Sequence, residues 1–267
     1  MELNKAIKIA LDGDAILLTG SGFSHGAKNV RMISGTNRFD EIPTGTGLTK
    51  LLLAQLKLDF NNQNLGVVSR HFIKKIGKKK LINLLTECFT VSSVANHHKE
   101  LMQIDWRRIY TTNYDKVVET AATSVGKIYK TISLNDRFDE PKNKICLHIN
   151  GVIDELSEKT LDSRFKLTTR SYNSEPLEGN PWFDFMSRNL QNAKAIFIVG
   201  FSMAFDLDLT RVISNIAEKN TVVFVTSPAI DEIEKSGLED YGNVYPIGVE
   251  GLSAKIKELS KTYTPKA

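Results

Sequence analysis

Ile16-Leu17-Leu18-Thr19-Gly20-Ser21-Gly22-Phe23-Ser24 decides the fold. An apolar run of strand length ends in Gly-Ser-Gly and passes into small polar residues. Parallel strands covered on both faces read as such runs. A glycine turn at the carboxyl end of one lets backbone N–H groups approach a phosphate. The stretch is no regular dinucleotide fingerprint. His25 stands at the third glycine of G-x-G-x-x-G, and Gly26 follows one residue late. A plain strand-to-helix turn is therefore the competing reading.

Upstream, Asp12-Gly13-Asp14 is a turn, and Leu3, Ala6, Ile7 and Ala10 mark one face of an amphipathic helix rather than a signal peptide. Downstream, residues 26–47 are polar and glycine-containing and read as a long ordered loop of the kind that covers sites. Residues 46–58 read as a helix. Over 60–104 apolar residues recur at helical spacing, from Val67 to Phe89, which predicts a helical insertion or small lobe. Lys74, Lys75, Lys78, Lys79 and Lys80 crowd its middle. They read as a phosphate or nucleic-acid patch or as a solvated helix end. No aromatic residues interleave them, so nucleic acid is not the expected partner. His97 and His98 have no Cys or acidic companions at ligand spacing, and no metal is expected.

Further strand signals each end in polar residues. Residues 108–112 lead into Asn113-Tyr114-Asp115, and 145–149 carry His148 just before Asn150-Gly151. Residues 195–199 lead into Gly200-Phe201-Ser202, and 221–225 into Thr226-Ser227-Pro228. Residues 127–132 make another short strand, and 244–247 a candidate last one. Helical patterns at 116–122, 181–192, 206–217 and 251–263 lie between or after them. Residues 161–180 hold polar turn residues and Tyr172. Roughly six strands alternating with helices predict an α/β fold: a Rossmann-like parallel sheet with helices on both faces and a helical insertion or small lobe. In such sheets ligands bind at the carboxyl ends of strands.

The chain has 267 residues, 41% of them hydrophobic and 25% charged, with a net charge of +4 and two cysteines. That is one large globular domain over 1–267, too mildly basic to imply nucleic acid. Cys88 and Cys146 form no C-x-x-C pair, which excludes a disulfide framework and a cysteine zinc module and suits a reducing cytoplasm. No stretch is long and apolar enough to span a bilayer. The polar residues 261–267 read as a linker, so the chain is expected to be the N-terminal part of a longer protein.

Taken in order, TGSGFS (19–24), TTNYD (111–115), LHINGVID (147–154) and VGFSMAFD (199–206) resemble the sirtuin family, and more closely the sirtuin-like domains of bacterial anti-phage defence proteins. They resemble the family's Gly-Ala-Gly-x-Ser loop, its Gln-Asn-x-Asp stretch, its His-x-Gly segment and its Gly-x-Ser adenine-side loop. The match runs from about Ala15 to about Pro228. Two family features are missing, namely the zinc module with two C-x-x-C pairs and the Gly-Ile-Pro-Asp-Phe-Arg segment, in whose region Ile42-Pro43-Thr44-Gly45 stands.

The resemblance implies NAD as substrate, and no metal is expected because no Cys/His cluster has ligand spacing. It makes His148 the catalytic base and has Asn113 hold the nicotinamide-side ribose or a water. Asp115 would support that pocket. Gly20, Ser21, Gly22 and Ser24, beside Thr112, would cradle the diphosphate. Gly200, Ser202 and Ser227 would face the adenosine half. The implied activity is that of an NAD+ hydrolase releasing nicotinamide and ADP-ribose or cyclic ADP-ribose, as a defence effector that depletes NAD+. Because unchecked cleavage would kill the host, a homo-oligomer, a regulatory domain or a partner protein is expected to gate it. The alternatives are a catalytically silent NAD or ADP-ribose sensor and a protein deacylase. An NAD-linked oxidoreductase is disfavoured by the irregular glycine pattern, and a nucleic-acid module would rest on the lysines alone.

Overall fold

Ala15–Thr19 forms β1, buried along its whole length at the centre of a seven-stranded sheet. The computed structural model describes residues 1–31, 40–61, 64–167, 179–201, 207–216 and 221–266, with the backbone alone for 207–209 and 211. In chain order the elements are α1 (Leu3–Leu11), β1, a 3-10 turn (Ser21–Ser24), β2 (Lys28–Asn29), α2 (Gly45–Leu56), α3 (Leu65–Lys75), α4 (Lys78–Phe89) and β3 (Val91–Ser93). Then come α5 (Asn96–Met102), β4 (Arg108–Thr111), α6 (Val117–Ser124), β5 (Lys130–Ser133), β6 (Ile145–His148) and a second 3-10 turn (Ile153–Glu155). The last are α7 (Pro181–Gln191), β7 (Ala195–Val199), α8 (Leu207–Ser214), β8 (Val222–Val225), α9 (Glu232–Glu239), β9 (Asn243–Tyr245) and α10 (Gly248–Ser260).

The sheet runs β5-β6-β4-β1-β7-β8-β9, with every neighbouring pair parallel. After β1 the chain lays strands to one side, then crosses back with β7 to build the other. The strand order therefore reverses at β1 and β7, where open α/β sheets bind ligands. Successive side chains of β1 point to opposite faces. Ala15 and Leu17 join the core shared with α1, α5, α6 and α10, whereas Ile16 and Leu18 join the core under α7 and α8. That two-sided burial is why the strand reads as an unbroken apolar run.

Residues 60–104 hold α3 and α4, which pack on each other, with α3 also against α2. Phe72, Leu81 and Leu85 share one continuous core with the main sheet. β3 pairs antiparallel with β2, and α5 packs on α6 and α10. The loop expected at 26–47 is tied at its flanks. Asn29 N–H donates to the Asp40 carbonyl at 2.7 Å and Ile42 N–H to Ala27 at 3.0 Å. Its middle, 32–39, lies outside the described residues, as do Tyr172 and Ser202. Among the described residues no helix is long and apolar enough to cross a membrane.

Several boundaries move for local reasons. α2 begins at Gly45 because the Thr44 hydroxyl accepts from Gly47 N–H and so caps it. The strand expected at 127–132 starts only at Lys130, since Lys127 N–H still closes α6 onto the Ala122 carbonyl at 2.9 Å. α9 carries no apolar stripe in the sequence. It buries only Leu238, and the Asp231 carboxylate caps its first turn.

Candidate active site

Two carboxyl ends meet first. Thr19 closes β1 and Thr111 closes β4, and the Thr19 hydroxyl donates to Thr111 Oγ1 at 2.8 Å. That oxygen also accepts from Asn113 N–H at 3.1 Å, so the polar turn after β4 starts against β1. Thr112, half-buried beside it, sends its N–H to the Thr19 carbonyl at 3.0 Å.

The turns then lock together. Asn113 Nδ2 donates to the Gly20 carbonyl and to Ser24 Oγ, both at 3.0 Å. Ser24 in turn donates to the Asp115 carboxylate, 3.0 and 2.9 Å from its two oxygens. Asp115 also accepts from Val117 N–H at 3.1 Å, at the start of α6. Positive helix-end potential and the two donors, the Ser24 hydroxyl and Val117 N–H, favour the carboxylate. Burial acts more strongly the other way and pushes Asp115 up to about 6. Asn113, Asp115 and Ser24 are all buried.

His148 ends β6 on the far side of Asn113. Its Nδ1 lies 2.8 Å from the Asn113 carbonyl and its Nε2 lies 2.9 Å from Glu119 Oε1. The ring is 1% exposed. Burial by itself lowers its pKa, but the adjacent Glu119 carboxylate outweighs burial and holds it above the ordinary histidine value. Thr131 donates to the same Glu119 oxygen at 2.9 Å. Cys146 Sγ lies 3.9 Å from Nε2, and burial pushes that thiol well up. Donor atoms of Glu119, Cys146 and His148 lie within 4.8 Å of one another. The hydrogen bonds just given already engage the nitrogen and one carboxylate oxygen, so the trio reads as a proton-sharing network. Sequence reasoning missed Glu119. Its signal is an acid on the apolar face of α6, beside Val117, Val118, Ala121 and Ala122.

The glycines serve packing between turns. A Cβ on Gly20 would sit 2.6 Å from the Gly200 carbonyl oxygen, and one on Gly22 2.8 Å from Gly200 Cα. A Cβ on Gly200, whose φ is +65°, would lie 2.2 Å from Phe23 N. Gly20 and Gly22 send their N–H groups to the carbonyls of Val199 and Gly200, at 3.0 and 2.8 Å. That leaves Ser21 as the exposed residue of the turn. Two histidines of α5 brace the same turn, a role the sequence did not show. His98 Nε2 lies 2.7 Å from the Phe23 carbonyl, and His97 Nε2 lies 3.0 Å from that of His25.

The structure thus brings Gly20, Ser24, Thr112, Asn113, Asp115 and His148 together at the ends of β1, β4 and β6. Gly22 and Gly200 stack beside them at the end of β7. Ser227 is exposed at the end of β8, where its hydroxyl accepts from Ala229 N–H at 3.1 Å. The cluster presents a carboxamide, a hydroxyl and a carboxylate at one sheet edge. Such a set can orient hydroxyls or a water and oppose a developing positive charge.

Over 175 residues the chain is 27% identical to the NAD(+) hydrolase ThsA of Cytobacillus dafuensis. That stretch is 64% of this chain, and it spans only about a third (34%) of the relative's length. The fold matches two Sir2 homologue variants solved with ADP-ribose. One has TM-score 0.59 at 14% identity and the other 0.55 at 13%, each over 100% of both chains. Residues 107–246, more than half of the chain, match the model of the SIR2-like domain, and the chain belongs to that family.

Proposed function

We propose that this domain cleaves the nicotinamide–ribose bond of NAD+, releasing nicotinamide and ADP-ribose or its cyclic form, as an effector in anti-phage defence. One observation carries the reading: the Asn113 carboxamide is fixed beside Ser24 and Asp115 where the strand order reverses. The 27% identity to an NAD(+) hydrolase supports it.

In this reading the C1′–N bond breaks with its electron pair passing to nicotinamide. Water then adds to the cationic ribose carbon and gives up a proton. Such a step needs positioning more than a strong nucleophile. Asn113 orients the ribose or the water, and Asp115 opposes the positive charge. Ser21 at the exposed turn faces the diphosphate, and Ser227 lies toward the adenosine half.

The test is release of nicotinamide from NAD+ by the purified protein, with and without an acetylated peptide. Asn113→Ala is expected to lose roughly 10²-fold, the scale of a misplaced reacting group. Release that requires the peptide would make the protein a deacylase. The specific observation favouring a silent sensor is the burial of His148 with both ring nitrogens engaged. NAD+ binding with no release in any oligomeric state or with any partner restored would establish that reading instead.

A further inference from the structure

We propose that Glu119, Cys146 and His148 form a binding site for a thiophilic divalent cation of the zinc class, and that an ion held there inhibits the domain by occupying His148. The site stands on geometry, whereas the inhibition rests on the NAD+-cleavage reading. The ion acts as an inhibitor, not as a cofactor.

β6 supplies two of the ligands. Cys146 and His148 lie two residues apart on one strand and so point to the same face. That face meets α6, which brings the Glu119 carboxylate against both. The three donor atoms lie within 4.8 Å of one another, with Nε2 2.9 Å from Glu119 Oε1 and 3.9 Å from Cys146 Sγ. Zinc holds nitrogen and oxygen at about 2.0–2.2 Å and sulfur at about 2.3 Å, so tetrahedral ligands stand roughly 3.4–3.6 Å apart. The observed separations fall on either side of that range, and side-chain shifts of about half an ångström close the difference.

The donor chemistry selects the ion. Thiolate, imidazole and carboxylate together suit zinc, while magnesium and calcium call for oxygen ligands alone. A second observation points the same way. Thr131 and His148 both engage Glu119 Oε1, yet Glu119 Oε2 is buried with no hydrogen-bond partner among the described residues. An unpaired buried oxygen is costly, and a bound ion would satisfy it.

Charge and protons balance. Without an ion, one hydrogen lies between Nε2 and the Glu119 carboxylate, and burial keeps the Cys146 thiol protonated. Those two hydrogens leave as the ion enters, and Nδ1 keeps its own on the Asn113 carbonyl. The dication then meets one thiolate, one carboxylate and a neutral ring. The cluster is neutral before and after, as a buried site requires. An Nε2 bound to metal cannot take a proton from a ribose hydroxyl or a water, so the base that the family resemblance assigns to His148 is lost. In the NAD+-cleavage reading the ring has to be uncovered for the ribose, and the same opening admits an ion.

Cobalt(II) reports such a site by its absorption. Titrating tag-free protein with Co2+ should give the visible bands of a tetrahedral ion and a near-ultraviolet thiolate band, saturating at one ion per chain. Zn2+ should bleach both and Mg2+ neither. Cys146→Ser should lose the thiolate band, whereas Cys88→Ser, which removes the other cysteine, should keep it. Glu119→Gln should weaken Co2+ binding by at least the roughly 10–100-fold that even an outer partner of a metal ligand is worth. No thiolate band in wild type, or an equal band in Cys146→Ser, overturns the site. If Cys146→Ser does not fold, Glu119→Gln decides, and unchanged Co2+ affinity in it overturns the site. Nicotinamide release by wild type should fall as Zn2+ saturates the site, and folded Cys146→Ser should need at least ~10-fold more Zn2+ for the same loss. Release that persists at Zn2+ levels that displace Co2+ overturns the inhibition. If wild type releases no nicotinamide under any condition, the NAD+-cleavage reading fails and the cobalt spectra still decide the site.

Discussion

Replacing Gly200 by alanine adds one methyl group where the turns after β1 and β7 press backbone on backbone. Its Cβ would lie 2.2 Å from Phe23 N, 2.3 Å from Gly22 C and 2.6 Å from Gly22 Cα. None of these atoms belongs to a side chain that can swing away. The φ of +65° adds the left-handed penalty, roughly 1–2 kcal/mol for a residue with a Cβ. Forcing a methyl into a closed site adds about 1–3 kcal/mol more. The sum, ~2–5 kcal/mol, is a large part of the roughly 5–15 kcal/mol that holds a domain folded. For a chain of this size it corresponds to a fall in Tm on the order of 5–20 °C. Circular dichroism melts and urea titrations of the purified variant give the number. Gly237→Ala is the matched control. Gly237 lies exposed in α9, and a Cβ there meets nothing within 4 Å. Alanine at that position should stabilise by roughly 0.5–1 kcal/mol. A Gly200→Ala protein melting within a degree or two of wild type would refute the packing argument.

Asp115→Asn removes a carboxyl that burial moves from 3.8 to about 6. Wild type therefore loses stability as pH rises from about 4 through 6, and the variant does not. Its advantage should grow over that range toward ~3 kcal/mol and then level off. Urea midpoints measured from pH 4 to 8 read this directly, and a constant difference would contradict it. In the same protein NAD+ cleavage should fall. His98→Ala takes the donor from the buried Phe23 carbonyl and should cost roughly 1–3 kcal/mol. Burial lowers His98 to about 4, so wild type also weakens as pH drops from 6.5 toward 4, and this component should vanish in the variant's acid melts.

The sheet was legible because its strands are buried on both faces, so β1, β7 and β8 stand out as unbroken apolar runs. The meeting of Ser24 with Asn113 and Asp115 followed from topology, since strand ends of one parallel sheet share an edge. Two things were less visible. β2 and β3 are two and three residues long and are held by cross-chain pairing rather than by hydropathy. The close packing at the glycines is not readable from the chain: Gly20, Gly22 and Gly200 have no space for a Cβ because two turns touch. The direction of His148 is readable from period two. Cys146 and His148 share a face of β6 opposite Ile145 and Leu147, and that face meets α6, where Glu119 is the one acid.

The same residues that make the cluster unusual make it costly for the fold. A buried carboxyl raised by burial and a buried carboxylate–imidazole pair are groups that apolar side chains of equal size often replace without loss of stability. Local rules are broken in this way chiefly at sites that do something. Asn113 is where those unfavourable groups converge. Gly20 and Ser24 hold its side chain from β1, Thr111 holds its N–H from β4, and His148 holds its carbonyl from β6. Ser24 is in turn held by Asp115 and His148 by Glu119, so both charged groups act on the same residue from opposite sides. A residue fixed from three strands cannot reorganise when charge develops near it, and that rigidity is what lets dipoles stabilise a transition state without further rearrangement. The sequence separations of these contacts, 93 residues to Gly20 and 35 to His148, mean that no local segment can supply the arrangement. It exists only once the parallel sheet has closed, which is why a defect at Gly200, two strands from Asn113, is expected to reach the site through the turn that carries Gly20.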